Sequence, residues 1–338
     1  MAVRWNPSCE GFNMIETEEI YSLEVADHVP PPRSMISEVI MGMSRTQKTL
    51  PAKFLYDKKG SEIFEEICLL PSYYPTRTET KILQDNAREM SAMIGEDAMI
   101  IEPGSGSAEK VRILLRELHG KRSYVPVEIS REILLRTSRE LIEEFPGMGL
   151  FPVCADFTKS LSLPLTVGSR PGKKIVFFPG STIGNLDPDQ AKEFLVEVSD
   201  LSRGGGILIG VDLKKDPEIL RLAYNDPEGV TAAFNLNILS RLNREAEATF
   251  VTENFRHEAV YNEEKGRIEM HLISRMPQLV RVNQTVFRFR EGESIHTENS
   301  YKYSVAEFTA LGEKAGLSLK KSWQDSDNLF SVYYFEHK

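Results

Sequence analysis

Short apolar segments alternate with amphipathic helices over the middle of the chain, between residues 96 and 213. Each apolar segment has the length and composition of a strand that is buried on both faces. The predicted strands cover residues 98–103, 124–130, 150–157, 174–180 and 207–213. The stretches between them carry apolar residues at helical spacing, as at Val111, Leu114 and Leu118. This alternation predicts a parallel sheet with helices on both faces.

The pattern differs on either side of this region. One more helix begins after Asp216, and the capping box Ser304-x-x-Glu307 begins another. Residues 256–298 have the alternation of antiparallel strands. The remaining predicted helices cover residues 34–44, 61–70, 76–94 and 232–246, and the strands of a closing hairpin cover 318–323 and 329–336.

These patterns predict two domains in an α/β fold. The parallel sheet and the closing hairpin form a doubly wound domain of residues 80–213 and 303–338. The flanking pieces, residues 1–79 and 214–302, form a second, smaller α+β domain that we expect to bind substrate. Residues 1–33 end in three consecutive prolines and are expected to form a flexible arm.

Composition and charge exclude several classes of protein. The chain has 338 residues, of which 41% are hydrophobic and 27% charged, as is typical of a globular protein. No stretch reaches the roughly 18 apolar residues of a membrane helix, and the N terminus lacks the apolar segment of a signal peptide. A net charge of −9 argues against a nucleic-acid surface. We therefore expect a cytoplasmic monomer that acts on a small molecule, without nucleic-acid or membrane partners.

Cysteine and histidine residues indicate neither a disulfide framework nor a metal centre. The three cysteines include no CxxC pair, and the six histidines include no HExxH motif. A reducing compartment and a site without metal are therefore expected. His257 and His271 lie in the predicted antiparallel strands, where we favour side-chain packing over metal binding.

A glycine-rich loop follows the first predicted sheet strand, where doubly wound folds bind nucleotide-like ligands. Gly104 and Gly106 allow the backbone to approach a ligand closely. Glu109 stands where a dinucleotide motif has its third glycine, and a carboxylate at Glu102 would repel a pyrophosphate. An acid with two glycines favours a cationic ligand such as S-adenosylmethionine, whose carboxylate Lys110 could meet. The alternative is a plain tight turn.

Further candidate residues lie at the ends of the next strands. Glu128 closes the second strand, where a carboxylate can accept hydrogen bonds from ribose hydroxyls. Asp156 and Phe157 close the third, where an acid and a ring can address adenine. After the fourth, small residues from Gly180 to Asn185 leave room for a substrate, and the Asn185 amide can donate and accept. Each acid could instead be solvated, and Asn185 could be a turn residue.

Two tyrosines and one polar strand are weaker candidates when each is taken alone. Tyr56 and Tyr73 lie near predicted helices, where tyrosines mostly belong to the core. Glu298 and Ser300 share one face of a strand, so both could address one ring, or they could form a solvated edge.

Several specific motifs follow one another along the chain, namely KFLYDKKGSEIFEEICLLPSYYPTRTET, PGSGSAEK, ADF, FFPGSTIGNLDP, LAYNDPEGVTAAFN, RIEMHL and TENSYKY. Together they resemble the histidine-specific methyltransferases of ergothioneine biosynthesis, the L-histidine Nα-methyltransferase family. The resemblance runs from about residue 48 to the C terminus. It departs from the family at Pro103, where leucine is common, and at Glu128, where aspartate is common.

The resemblance implies a class I methyltransferase sheet and a family-specific second domain, with histidine bound between them. It assigns donor binding to residues that include Gly104, Lys110, Glu128, Asp156 and Phe157. With Glu102, Gly106 and Gly180 these form the predicted donor site. It assigns substrate binding to Tyr56, Tyr73, Asn185, Tyr224, Met270, Glu298 and Ser300.

Individual roles also follow from the resemblance. Asn185 and Tyr224 match residues that hold the substrate carboxylate. Tyr73, Glu298 and Ser300 match residues that address the imidazole, and Tyr56 matches one that lies near the amine. Tyr56, Tyr73 and Asn185 are therefore the predicted catalytic residues.

The predicted activity is transfer of methyl groups from S-adenosylmethionine to the α-amino group of L-histidine. Three transfers, through the mono- and dimethyl forms, would give hercynine and release S-adenosylhomocysteine each time. Methylation of tryptophan or a prenylated tryptophan is the nearest alternative. A dehydrogenase is disfavoured by Glu102 and by the absent third glycine. A non-catalytic binding protein is disfavoured because every polar position expected of the family is present.

Overall fold

A computed structural model describes residues 25–27, 33–157 and 172–338 of the protein. Most of the predicted N-terminal arm lies outside the described residues. Within the described ranges, no helix combines the length and the apolar character that crossing a membrane requires.

The strands of the described residues are numbered in chain order. They are β1 (Ala26–Asp27), β2 (Lys48–Thr49), β3 (Met99–Pro103), β4 (Ser123–Glu128), β5 (Gly149–Leu150), β6 (Val153–Cys154), β7 (Lys174–Phe178), β8 (Gly206–Asp212), β9 (Phe255–Asn262), β10 (Arg267–Ser274), β11 (Gln278–Val282), β12 (Thr285–Phe289), β13 (Ser294–Tyr301), β14 (Leu317–Gln324) and β15 (Phe330–His337).

The helices of the same ranges are numbered likewise. They are α1 (Arg33–Met43), α2 (Lys58–Leu69), α3 (Tyr74–Ile94), α4 (Glu109–Glu117), α5 (Arg131–Glu144), α6 (Pro188–Leu201), α7 (Pro217–Tyr224), α8 (Val230–Glu245) and α9 (Val305–Lys314). Short 3-10 helices add Ala52–Leu55, Thr182–Asn185 and Thr252–Asn254.

The large sheet has the strand order β1-β6-β4-β3-β7-β8-β15-β14, with β5 beside β4. Its strands are parallel except for β15, which runs antiparallel to β8 and β14. The chain winds outward from β3 in one direction and from β7 in the other. The loops after β3 and β7 therefore diverge and leave a crevice at the carboxyl ends of the strands. The predicted doubly wound α/β fold is confirmed.

The smaller sheet has the order β2-β13-β10-β9. Strand β10 alternates between buried and partly buried residues, because one of its faces packs on a core. That core includes Phe234 and Ile238 of α8 together with Ile268 and Leu272 of β10. Residues from the chain before α3 and after β8 share this core.

Two details differ from the sequence prediction. The third strand, predicted over 150–157, is two short strands, β5 and β6, on either side of Pro152. Proline has no N–H to donate, so it interrupts a ladder. Strand β1 pairs with β6, which places Ala26 and Asp27 in the large sheet rather than with the smaller one. The division into domains otherwise stays a prediction.

The four predicted helix-start residues, Ser130, Asp187, Asp216 and Ser304, all stand at the N-cap. The Ser304 hydroxyl accepts from the Glu307 N–H, and the Glu307 carboxylate accepts from the Ser304 N–H. Asp187 precedes Pro188 at the start of α6, and the Asp216 carboxylate accepts from the Glu218 N–H. Ser130 makes no capping bond through its hydroxyl, and its backbone N–H donates to Glu128.

The two sheets meet where β13 ends. The Tyr301 carbonyl passes so close to Gly184 that a Cβ there would lie 2.8 Å from its oxygen. Beyond β13, Tyr303 forms a bridge with Leu213 at the end of β8. The 3-10 helix Thr182–Asn185 is therefore held against β13, and it connects the crevice of the large sheet with the smaller sheet.

Candidate active site

The loop after β3 turns through residues with left-handed backbone conformation, among them Gly104 (φ 71°) and Gly106 (φ 49°). The Gly104 N–H donates to the Val127 carbonyl at 2.7 Å, which fixes the loop to β4. A Cβ at Gly104 would lie 3.2 Å from the Phe157 ring. The glycine therefore leaves open a cradle between the loop and the ring.

Glu128 lies beside this loop at the end of β4. Its carboxylate accepts from the Gly106 N–H at 3.2 Å and from the Ser130 N–H at 2.9 Å. Burial raises the pKa of Glu128, although these backbone donors favour the ionised form. The structure thus brings together four of the residues predicted to bind the donor, namely Gly104, Gly106, Glu128 and Phe157.

Asp156 follows β6 on the same side of the sheet and forms an ion pair that the sequence did not predict. Its Oδ2 lies 3.0 Å from Nζ of Lys53, and Lys53 also lies 2.8 Å from Oε2 of Glu38. Burial alone would lower the pKa of Lys53, but the two carboxylates raise it. Lys53 belongs to the 3-10 helix Ala52–Leu55, so it connects the smaller domain with the crevice.

Lys110 has a protein carboxylate as its partner. Its Nζ lies 2.5 Å from Oε2 of Glu79, a residue of α3 that the sequence analysis did not select. The Gly180 N–H donates to both oxygens of Glu79, at 3.0 and 2.8 Å. Glu79 therefore connects the first turn of α4, which follows the glycine-rich loop, with the loop after β7. Whether Lys110 also contacts the donor carboxylate stays a prediction.

Glu102 lies beneath the glycine loop. Its side chain is buried, and the Tyr124 hydroxyl donates to it at 2.5 Å. Burial raises the pKa of Glu102 to about 8, so the carboxyl is mostly protonated at neutral pH. A neutral acid neither repels a pyrophosphate nor attracts a cation. Glu102 therefore lacks the charge that would attract a cationic ligand, and its partner within the protein is the Tyr124 hydroxyl.

On the other side of the crevice, three buried side chains meet at the junction of α7 and β13. The Tyr224 hydroxyl lies 2.9 Å from Oγ of Ser300. The Lys302 ammonium donates to Oγ of Ser300 at 2.7 Å and to the Tyr224 hydroxyl at 3.1 Å. Tyr224 and Ser300, both predicted substrate residues, are thus direct neighbours.

Glu298 lies two residues before Ser300 on β13, so both side chains are on the same face of the strand. The Asn185 amide donates to its Oε1 at 3.4 Å. Burial raises the pKa of Glu298 to about 7, against the Lys302 ammonium and the Tyr56 hydroxyl, which favour the ionised form. Met270 is buried opposite Glu298 on β10. The structure thus brings Asn185, Met270 and Glu298 into one buried region.

The two predicted tyrosines line the same region with aromatic rings. Tyr73 packs edge-to-face on Tyr224, with ring centroids 6.0 Å apart. Tyr56 packs on Phe234 in the same way at 5.4 Å. Burial raises the pKa of both Tyr56 and Tyr73 well above the usual range, so both phenols are neutral donors near neutral pH.

A family model matches residues 35–337, which is most of the chain. Its description is histidine-specific methyltransferase, SAM-dependent. The chain belongs to this family. The resemblance inferred from the sequence motifs is therefore confirmed.

Three relatives illustrate the range of the histidine-specific methyltransferase family. The histidine N-alpha-methyltransferase of Mycolicibacterium smegmatis is 40% identical over 87% of this chain and 92% of that protein. The histidine N-alpha-methyltransferase of Mycobacterium tuberculosis is 37% identical over 92% of this chain and 98% of that protein. The 4-dimethylallyltryptophan N-methyltransferase of Aspergillus fumigatus is 29% identical over 87% of this chain and 91% of that protein.

The residues predicted to bind the donor fit S-adenosylmethionine. Gly104 keeps open a cradle that a Cβ would fill, and Phe157 forms its wall. Buried carboxylates at Glu128 and Asp156 offer acceptors to hydroxyl and amino groups. Gly180, with φ 80°, brings the loop after β7 to the same place.

Three charged residues of the candidate site are not among the sequence predictions, namely Glu79 and Lys302, which are buried, and Lys53, which is partly buried. Each of the three belongs to a motif that carries the resemblance, and those motifs could have pointed to it. Residue type alone could not, because charged residues are mostly exposed and the pattern of a helix or strand does not reveal a buried ion pair.

Three potential metal ligands, Glu269, His271 and His296, lie with their ligand atoms within 4.8 Å of one another. The two imidazole rings are stacked, with centroids 4.9 Å and planes 22° apart. In-plane lone pairs of stacked rings do not converge on a common point, and Glu269 accepts from Arg267 at 2.6 Å. His257 packs elsewhere, against Asn235 and the Tyr224 carbonyl.

Proposed function

We propose that the protein methylates the α-amino nitrogen of L-histidine with S-adenosylmethionine as the donor. Three successive transfers would give Nα,Nα,Nα-trimethylhistidine, which is hercynine. One observation carries the proposal. The polar groups of Asn185, Tyr224, Glu298 and Ser300 lie together in a buried region at the edge of the glycine-lined crevice.

These groups suit the two ends of histidine. The Asn185 amide and the Tyr224 hydroxyl can donate to the carboxylate. Glu298 and Ser300 offer partners to the two ring nitrogens, whereas an indole has one donor and no acceptor. A buried polar group that loses its partner costs about 1–3 kcal/mol, so this arrangement favours imidazole over indole.

When bound, S-adenosylmethionine supplies a methyl group on a sulfonium, so the amine nitrogen gains an N–C bond while the S–C electrons stay on the sulfur. The protein's contribution is to hold the amine in line with that group. Anchoring the carboxylate and the ring on opposite sides leaves the amine little freedom. The amine must be neutral when it attacks, so its proton leaves first.

Tyr56 is the predicted neighbour of the amine, and its raised pKa limits what it can do. A phenol that stays protonated can donate a hydrogen bond or pass a proton on, but it does not remove one as a phenolate. We therefore assign Tyr56 an orienting role. The proton of the ammonium is lost to water, directly or through the Tyr56 hydroxyl.

The test is mass spectrometry of L-histidine incubated with the protein and S-adenosylmethionine. Products heavier by one, two and three methylene units are expected, with fragmentation that places them on the α-nitrogen. Parallel reactions contain L-tryptophan or a prenylated tryptophan, because one relative is named for the latter. Faster methylation of either indole would reverse the assignment, and no product from any of them would refute it.

A further inference from the structure

Lys302 is a buried cation directly behind the substrate groups, and the function proposed above gives it no role. Its side chain is fully buried. Its ammonium meets three acceptors, Asp212 at 2.7 Å, Ser300 at 2.7 Å and Tyr224 at 3.1 Å. An ammonium has three N–H groups, so all three are used within the protein.

The groups that contact Asp212 carry more positive than negative charge. Lys302 and Lys215 both contact the Asp212 carboxylate, and the Tyr74 hydroxyl donates to it at 2.8 Å. One carboxylate thus faces two ammonium groups. Glu298 also acts on Lys302 through space, but its pKa of about 7 leaves it only partly ionised at neutral pH, so positive charge stays in excess. Asp325 acts on Lys215 only through space and accepts from backbone N–H groups of its own turn.

Lys302 stays protonated at neutral pH. Burial alone would lower the pKa of Lys302, but the adjacent Asp212 carboxylate raises that pKa well above its usual range. Burial lowers the pKa of Lys215 to about 8, so this second ammonium is also mostly charged at neutral pH. A buried cluster with excess positive charge is stabilised by an anion that binds next to it.

The hydroxyls of Tyr224 and Ser300 connect this charge to the crevice. Their oxygens are 2.9 Å apart, so one hydroxyl hydrogen lies between them. Each oxygen already accepts from Lys302. Of the two hydroxyl hydrogens, only one is then free to point into the crevice. When Tyr224 donates that hydrogen to an anion, the Ser300 hydroxyl donates to Tyr224, and only a lone pair of the Ser300 oxygen is available to the ring.

We propose that Lys302 is a positioning residue that makes the site selective for a free carboxylate, acting through the Tyr224 hydroxyl. The proposal rests on the function given above and extends it. A hydroxyl that accepts from an ammonium becomes a stronger donor, so Tyr224 binds an anion better than a neutral amide. In this arrangement Ser300 accepts a ring N–H.

The experiment compares L-histidine with L-histidinamide, which keeps the amine and the ring but lacks the carboxylate charge. Calorimetry gives the affinity of each for the full chain with S-adenosylhomocysteine present, so that no turnover occurs. Lys302→Met is expected to lower the preference for histidine over histidinamide about 10-fold. Tyr224→Phe is expected to lower it similarly, and the double variant no further than either change alone.

Lys215→Met is the matched control, because it also removes an ammonium from the Asp212 carboxylate, whereas Lys215 contacts Tyr74 and not the Tyr224 and Ser300 hydroxyls. It is expected to leave the preference for histidine unchanged. Equal loss of affinity for both ligands in Lys302→Met would overturn the proposal, and so would an equal fall in preference in Lys215→Met. If Lys302→Met does not fold, Tyr224→Phe decides, and an unchanged preference in that variant overturns the proposal. A parent protein that neither binds nor methylates histidine would instead refute the proposed function.

Discussion

Lys53 and Asp156 form an ion pair between the two parts of the molecule, with Nζ of the lysine 3.0 Å from Oδ2 of the aspartate. Lys53 lies beside Phe54 and Leu55, which belong to the core of the smaller sheet. Asp156 follows β6 of the large sheet. The pair therefore joins the core of the smaller sheet to the predicted adenine site at the large sheet.

Replacing Lys53 by methionine should lower the free energy of unfolding. The change removes the Lys53 ammonium from the buried Asp156 carboxylate, at a cost of about 1–3 kcal/mol for a partly buried pair. Urea unfolding measures the difference. Lys58→Met is the control, because its ion pair with Glu132 is exposed and should contribute little to stability. Equal effects of the two changes would show that the Lys53–Asp156 pair stabilises the fold no more than an exposed ion pair does.

Glu298 should make stability depend on pH. Its pKa is about 7 in the folded protein and near the ordinary 4.5 when unfolded. The folded state then holds the proton more tightly, so the stabilisation is complete below pH about 4.5 and is lost as the pH rises through about 7. The parent should lose roughly 3 kcal/mol relative to Glu298→Gln across this window.

Urea unfolding of the parent and of Glu298→Gln at several pH values measures this difference. Glu102 titrates in the same direction, with a pKa of about 8, but it is present in both proteins and cancels. A difference that does not change with pH would mean that the folded Glu298 carboxyl has an ordinary pKa.

Glu128→Ala should weaken binding of S-adenosylmethionine about 10-fold or more. Charge-assisted hydrogen bonds from ribose hydroxyls to a carboxylate contribute roughly 1.5–3 kcal/mol. Calorimetric titration of the donor gives the affinity. Glu132→Ala, an exposed acid in the first turn of α5, should leave it unchanged. Donor affinity that survives loss of the Glu128 carboxylate would place the ribose elsewhere.

Specificity for the ring should depend on Glu298 and Met270, which face each other on β13 and β10. Glu298→Ala combined with Met270→Val removes a polar partner and widens the region. Histidine methylation should fall strongly, and tryptophan methylation should rise above that of the parent. The measurement is kcat/KM for both amino acids. An unchanged ratio would show that these side chains do not contact the ring.

The sequence predicts the large sheet well because its strands are apolar runs between amphipathic helices. Strand β7 was predicted at 174–180 and lies at Lys174–Phe178. The pattern fails at Pro152, where local apolar character continues but a missing N–H breaks the strand. It also fails for β1, since pairing of two residues at a sheet edge leaves no periodic signal.

The candidate site is predicted as a set of positions and less well as a set of interactions. Glu128 and Gly106 were selected separately, and the structure joins them by a hydrogen bond of 3.2 Å. Glu102 was selected for its charge, which burial largely removes. Sequence gives the residue type, but protonation depends on desolvation, and desolvation depends on what packs around the group.

The segment from Gly180 to Asn185 is held at both ends, by Glu79 on the donor side and by Glu298 on the substrate side. The 3-10 helix Thr182–Asn185 connects these two contacts, and with them the predicted donor site and the predicted substrate site. Any coupling of the two binding events through this segment is reciprocal. Whatever factor the bound donor adds to the affinity for the amino acid, the bound amino acid adds to the affinity for the donor.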